Sequence, residues 1–176
     1  MKNLHQRLQT VANISIIVVA LLVAGLLVTR YWHPSSSLPA AAGDWNGEIE
    51  AGTKIRLADV EWSDSDRTLL LVLSTQCRYC TASLPFYKKL TQLKNGRADL
   101  RIIAVLPQDL EDSGKYLSER GIAVDQIEQA TLAEISVRGT PTLIEVNRSG
   151  TIVRSWVGKL PPEKETEVIS AILGSN

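Results

Sequence analysis

The chain contains two cysteines, Cys77 and Cys80, and they stand two residues apart in Cys77-Arg78-Tyr79-Cys80. This spacing lets two thiols face each other across the first turn of a helix. There the unpaired backbone N–H groups and the helix dipole favour a thiolate. Such a pair can alternate between a dithiol and a small disulfide ring, which is the chemistry of thiol–disulfide exchange. Arg78 adds a cation beside Cys77 and further favours its thiolate. The alternatives are an inert buried disulfide or a metal site. Zinc takes more ligands than two thiols provide, and the two histidines, His5 and His33, lie well before the cysteines. Neither a metal nor a cofactor is therefore expected.

The positioning elements follow from patterning. The apolar stretch Thr68–Ser74 reads as a buried strand ending just before Cys77. Leu84, Tyr87, Leu90 and Leu93 recur every three residues and predict one apolar helical face over 78–93, closed by Asn95-Gly96. Leu100–Leu106 is a second buried strand, Leu110–Arg120 a helix, and Ile127–Ile135 another short helix. Thr142–Val146 and Thr151–Val157, joined by Asn147-Arg148-Ser149-Gly150, predict a hairpin. Glu163–Leu173, after Pro161-Pro162, is a final helix. Short β-like patches over 46–60 suggest a small hairpin or an edge strand. This order predicts an α/β domain over 46–176, a mixed sheet flanked by helices. Sites in such sheets lie at strand carboxyl ends and helix N-termini, where Cys77 falls.

The first part of the chain differs in kind. Formal net charge is zero, yet all 19 acidic residues lie from Asp44 onward, and Lys2, Arg7 and Arg30 are the only Lys or Arg before it. Val11–Val28 is an uncharged run interrupted only by Asn13 and Ser15, long enough to span a bilayer as a helix. Lys2 and Arg7 before the run outweigh Arg30 after it and favour the N-terminus inside, and Tyr31-Trp32 reads as an interfacial anchor. The expected organisation is a cytoplasmic N-terminus (1–10), a transmembrane anchor (11–29) and a Pro/Ser/Ala linker (30–45). The domain then lies outside the cytoplasm. A cleaved signal peptide is the alternative, with Ala40-Ala41-Ala42 as its site, but these alanines sit far beyond the apolar run. No basic stripe with interleaved aromatics suggests nucleic acid.

Four features in order carry a resemblance: Cys77-x-x-Cys80 after a buried strand, Pro85 eight residues after the first cysteine, Gly139-Thr140-Pro141-Thr142, and a hairpin with Gly150 and Gly158. Over roughly 48–173 the chain resembles the thioredoxin superfamily, and within it the membrane-anchored TlpA/ResA-like thiol–disulfide oxidoreductases. The resemblance implies Cys77 as nucleophile and Cys80 as the resolving thiol. It implies Pro141 as a cis-proline, with Thr140 offering its backbone to an incoming peptide. It also implies protein thiols or disulfides as partners, an extracytoplasmic electron donor, a bacterial inner-membrane location and a reducing role.

The chain departs from that family at several positions. Leu71 stands where thioredoxin has a buried Asp, Ser83 where TlpA-like reductases often have Glu, and Gln76 where Trp is common. Proton transfer at Cys80 then falls to water or to a residue such as Glu145, itself expected as an exposed strand position. The other readings are a disulfide oxidase or isomerase, a peroxidase of peroxiredoxin type, and a redox-inert docking module. Ser74 suits the peroxidase pattern but Leu70 stands at its proline position.

Overall fold

The computed structural model describes residues 49–174. The expected anchor (11–29), its cytoplasmic flank (1–10) and the linker (30–45) lie outside the described residues. Among the described residues, no helix is long and apolar enough to cross a membrane.

Five strands form one sheet: β1 (Arg67–Val72), β2 (Leu100–Leu106), β3 (Gln126–Gln129), β4 (Thr142–Asn147) and β5 (Ile152–Val157). Their spatial order is β3-β2-β1-β4-β5, parallel between β1, β2 and β3 and antiparallel across β1/β4 and β4/β5. The helices are α1 (Arg78–Ala82), α2 (Leu84–Lys94), α3 (Leu110–Glu119) and α4 (Pro162–Leu173). The α/β architecture with a mixed sheet agrees with the patterning. β1 lies at the centre and is buried on both faces, which explains its unbroken Leu69–Leu73 run.

Alternation along the strands sends side chains to two apolar clusters. Leu69, Leu71 and Leu73 of the β1 segment join Ile102 and Ala104 of β2, Leu143 of β4 and Trp156 of β5. Buried residues of α2 (Phe86, Tyr87, Leu90), α3 (Tyr116, Leu117) and α4 (Val168, Ile172) pack into the same cluster, with Cys80 among them. Leu70, Val72, Ile103, Val105, Ile144 and Val146 form the second cluster. It is covered by Ile55, Val60, Ile135 and Val137 from non-helical segments, so the apolar side chains of the longer helices collect on one side only.

Four expectations are corrected. Residues 127–135 do not form a helix: Gln126–Gln129 is strand β3, paired parallel to Ile103–Leu106, and a turn region follows. The unpaired edge of β2 recruits a segment of weak strand propensity, so the sheet overrides local preference. Residues 49–60 form no hairpin. Their pairing is a single bridge, Lys54 with Thr151, flanked by bonds from Gly52 N to the Ile152 carbonyl and from Ile152 N to the Thr53 carbonyl.

Leu93 does not share the buried face of α2; it is exposed, while Phe86, Tyr87, Leu90 and Thr91 are buried. A spacing of three slips by about 60° per step on a helix of 3.6 residues per turn, so by Leu93 the row has reached the solvent side. The stretch 78–94 is also two helices, broken at Ser83 with Pro85 in the first turn of the second. Glu145, expected to be exposed, is 2% exposed. It lies on the first-cluster face of β4 opposite Leu69, with Arg154 Nε 2.7 Å away and Arg67 at 4.0 Å.

Candidate active site

The β1 chain direction delivers Cys77 to the carboxyl edge of the sheet. Leu73 N still bonds to the Val105 carbonyl, so the strand pairing runs one residue past Val72 before the chain turns. Cys77 then occupies the N-cap of α1 in extended geometry, and its Sγ accepts a hydrogen bond from Cys80 N at 3.0 Å. A sulfur thus takes the place that a Ser or Asp oxygen usually takes at a helix start. Cys77 Sγ also donates to the Thr140 carbonyl at 3.3 Å. Thr140 belongs to the loop entering β4, and the Thr140–Pro141 peptide is cis. Beyond it, Gly158 N bonds to the Pro141 carbonyl at 2.8 Å, tying the end of β5 to the same loop. Residues from three separate stretches of sequence therefore meet within bonding distance of one sulfur or its immediate neighbours.

The two thiols differ sharply in environment. Cys77 is half-buried and Cys80 is fully buried, and neither forms a disulfide. Burial first, then the adjacent Cys77 sulfur, pushes the Cys80 thiol up to about 12. One sulfur can be reached by another molecule, and the other is held protonated just behind it. This arrangement can pass a disulfide from an external sulfur inward to an internal pair.

Arg78 is exposed, and its guanidinium engages Tyr79, bonding to the phenol at 2.7 Å and stacking 4.6 Å from the ring centre. Thr75 N, just before the cysteines, is held by Gln108 Oε1 at 3.3 Å. Glu145 is not brought to the thiols. Leu143, which pairs with Leu71, is the β4 residue on that face nearer the site, and Glu145 lies about 7 Å further along the strand. No described carboxylate acts on Cys80.

Sequence reading gave Ser83 only as a departure from the family and Tyr87 only as a helix-face residue, and it missed Tyr116. Ser83 is one turn after Cys80, and Tyr87 and Tyr116 share its buried cluster. Spacing could have placed Ser83 and Tyr87 on one side of a helix. Nothing local marks Tyr116, which arrives from α3 through packing. Among the described residues no group of three or more His, Cys, Asp or Glu could hold a metal ion.

The comparisons with known proteins agree with this geometry. The family model described as a thioredoxin-like domain matches residues 60–172. No curated protein sequence matches the chain. Among solved structures, it is similar to a protein described as the thiol:disulfide interchange protein DsbE from Chlorobium tepidum, at TM-score 0.54 and 19% identity, covering 72% of this chain and 97% of that one. It is similar to the thioredoxin domain of a thiol-disulfide oxidoreductase from Bacteroides vulgatus, at TM-score 0.52 and 18% identity, covering 70% and 97%. StoA from Bacillus subtilis matches at TM-score 0.50 and 16% identity, covering 68% and 94%. With the match spanning both cysteines, the cis-proline loop and the whole sheet, the chain belongs to the thioredoxin-like domain family.

Proposed function

We propose that the protein is a membrane-tethered thiol–disulfide oxidoreductase of the extracytoplasmic space, reducing disulfides in protein substrates through Cys77 and Cys80. The observation that carries the exchange chemistry is the asymmetry of the pair: a half-buried sulfur at a helix start, bonded to Cys80 N and Thr140, in front of a fully buried thiol. Family membership and the activities named for the similar structures support a protein-disulfide oxidoreductase. The tether and the location rest on the uncharged run Val11–Val28 and on the charges flanking it.

In the reducing direction the Cys77 thiolate attacks one sulfur of a substrate disulfide. A Cys77–substrate disulfide forms, and the other substrate sulfur leaves as a thiolate and is protonated. The Cys80 thiol then gives up its proton and attacks Cys77 Sγ. The Cys77–Cys80 disulfide forms, and the first substrate sulfur departs as a thiol. The substrate has gained two electrons and the protein has lost two, so a dithiol donor must restore the resting form. Thr140 offers backbone to an extended substrate segment, and Arg78 with Tyr79 forms the exposed surface beside the attacked sulfur.

Trapping tests this reading. Cys80→Ala in the full chain should accumulate reductant-sensitive covalent adducts with disulfide-bearing extracytoplasmic proteins, and the additional Cys77→Ser change should abolish them. Absence of adducts would remove the exchange function. A reduction potential near the thioredoxin value of about −270 mV supports the reducing direction, and one near about −120 mV reverses it. Cleavage of the domain by a protease added outside intact spheroplasts would support the location, and protection would contradict it.

A further inference from the structure

Three stretches of chain meet at Cys77, and their charges are one-sided. Residues 74–81 hold the cysteines and one charged side chain, Arg78. Residues 136–143, with the cis-proline loop, carry only Arg138, and residues 157–161, at the end of β5, carry only Lys159. No acidic residue occurs in any of the three.

The backbone brings these cations close to the reachable sulfur. Arg78 directly follows Cys77. Arg138 stands two residues before Thr140, whose carbonyl accepts from Cys77 Sγ at 3.3 Å. Two residues of chain span at most about 7 Å. Lys159 follows Gly158, whose N–H bonds to the Pro141 carbonyl at 2.8 Å. All three cations are exposed. Arg78 engages only the neutral Tyr79 phenol, and among the described residues neither Arg138 nor Lys159 pairs with a carboxylate. By contrast, Arg67, Arg97, Arg101, Arg148 and Arg154 are each held in an ion pair.

The neighbouring acids leave this charge unanswered. Glu134, four residues before Arg138, is turned to the Thr131 N–H and hydroxyl at 2.6 and 2.8 Å. Glu163, four residues after Lys159, lies in the first turn of α4, where a carboxylate suits the helix dipole. Asp109, Glu111 and Asp112 open α3, which follows β2. The strand order β3-β2-β1-β4-β5 puts that helix start on one side of β1 and the Arg138 and Lys159 loops on the other. The rim of the site is therefore basic along the side where Thr140 offers its backbone.

We propose that Arg78, Arg138 and Lys159 select substrates by charge, favouring disulfides whose cysteines are flanked by acidic residues. A substrate segment laid along Thr140 carries its flanking side chains over these cations. Complementary charge raises the encounter rate and orients the segment before its sulfur is attacked. The bonds made and broken at Cys77 and Cys80 are those of the exchange itself. This inference rests on the exchange function proposed above, and its test separates the two.

The probes are three disulfide-linked dimers of one short capped peptide, with Glu, Gln or Lys on both sides of the cysteine. The reduced full chain is mixed with each, and acid quenching followed by chromatography gives the rate constant for peptide reduction. Dividing by the rate constant for dithiothreitol removes the intrinsic reactivity of each peptide. The Glu peptide should react about tenfold faster than the Gln peptide, and the Lys peptide more slowly than either. The spread should collapse in about 1 M salt, where charges are screened beyond about 3 Å. Arg138→Glu with Lys159→Glu should reverse the order of the Glu and Lys peptides. If that chain does not fold, Arg138→Gln with Lys159→Gln should bring the three rates together. Lys54→Glu with Arg56→Glu changes net charge equally beside the Gly150 turn, at the far end of β4, and should keep the wild-type order. Any other order in the wild type overturns the inference. So does an order that survives the changes at Arg138 and Lys159, or one that the distant pair reverses as well. Failure of the wild-type chain to reduce any of the three peptides overturns the exchange function instead.

Discussion

Cys77 Sγ lies 3.3 Å from the carbonyl oxygen of Thr140, a contact made across 63 positions of sequence. The thiol that another molecule can reach is therefore held against the loop that would bind that molecule's backbone. Cys80 N, at 3.0 Å on the other side, completes the setting. Position and accessibility, more than the composition of the dipeptide between the sulfurs, separate the roles of the two thiols.

Alkylation should show that separation directly. Iodoacetamide at neutral pH is expected to label Cys77 in the folded, reduced chain and to leave Cys80 unlabelled, as peptide mass mapping would record. Cys80 stays protonated up to about 12, against 9.0 for an ordinary thiol. Its folded value is raised, so its contribution to stability is complete below 9.0 and declines as pH climbs toward 12. Thermal melts of Cys80→Ala should fall less steeply than wild type over that alkaline interval. Equal slopes would count against the buried, protonated state.

Arg154 and Glu145 give a second test. Burial raises the Glu145 carboxyl, and Arg154 and Arg67 partly offset it. Arg154→Ala leaves the carboxylate with Arg67 alone at 4.0 Å and should cost about 1–3 kcal/mol at neutral pH. The folded carboxyl is raised, so it is readily neutralised as pH falls, and the loss should shrink on acidification. Urea titrations at several pH values measure this, and a loss independent of pH would contradict it.

Asp99 behaves in the opposite sense. Arg97, then Arg67, holds its carboxyl well below the ordinary range by hydrogen bonding. The two arginines in turn reach the Leu173 and Ala171 carbonyls in the last turn of α4. A lowered carboxyl stabilises above its unfolded value and loses that effect as pH falls. Asp99→Asn should therefore lower the melting temperature at pH 7 and converge with wild type in acid. Because the site is partly open to solvent, added salt should narrow the gap.

Gly150 closes the β4–β5 turn with φ +75°, and a Cβ there would meet Trp62 Cδ1 at 2.9 Å. Gly150→Ala combines left-handed strain with a clash and should cost about 1–3 kcal/mol. Disulfide exchange by the folded fraction should stay intact, since the turn lies at the opposite end of β4 from Thr140. Denaturant unfolding and a dithiobis(nitrobenzoate) assay separate the two effects.

Much of this protein was legible from residue order alone. Cys77-x-x-Cys80 after an apolar run, Pro85, the Thr140-Pro141 loop and the Gly150 turn each carry a local signature, because cap, kink and turn chemistry acts over a few residues. Strands β1, β2, β4 and β5 were readable for the same reason: their side chains answer to burial at a period set by the backbone. Residues 126–129 carried no such signal and became strand β3 because β2 presented an open edge. Glu145 looked like an exposed strand position until Arg154 from β5 and Arg67 from β1 converged on it. Tyr87 of α2 and Tyr116 of α3 join Cys80 in one buried cluster through packing. Sequence alone therefore determined which chemistry the chain carries and the order of most elements that position it. What faces the buried sulfur was decided only by packing, because the desolvation and electrostatics of a buried group depend on neighbours distant in sequence.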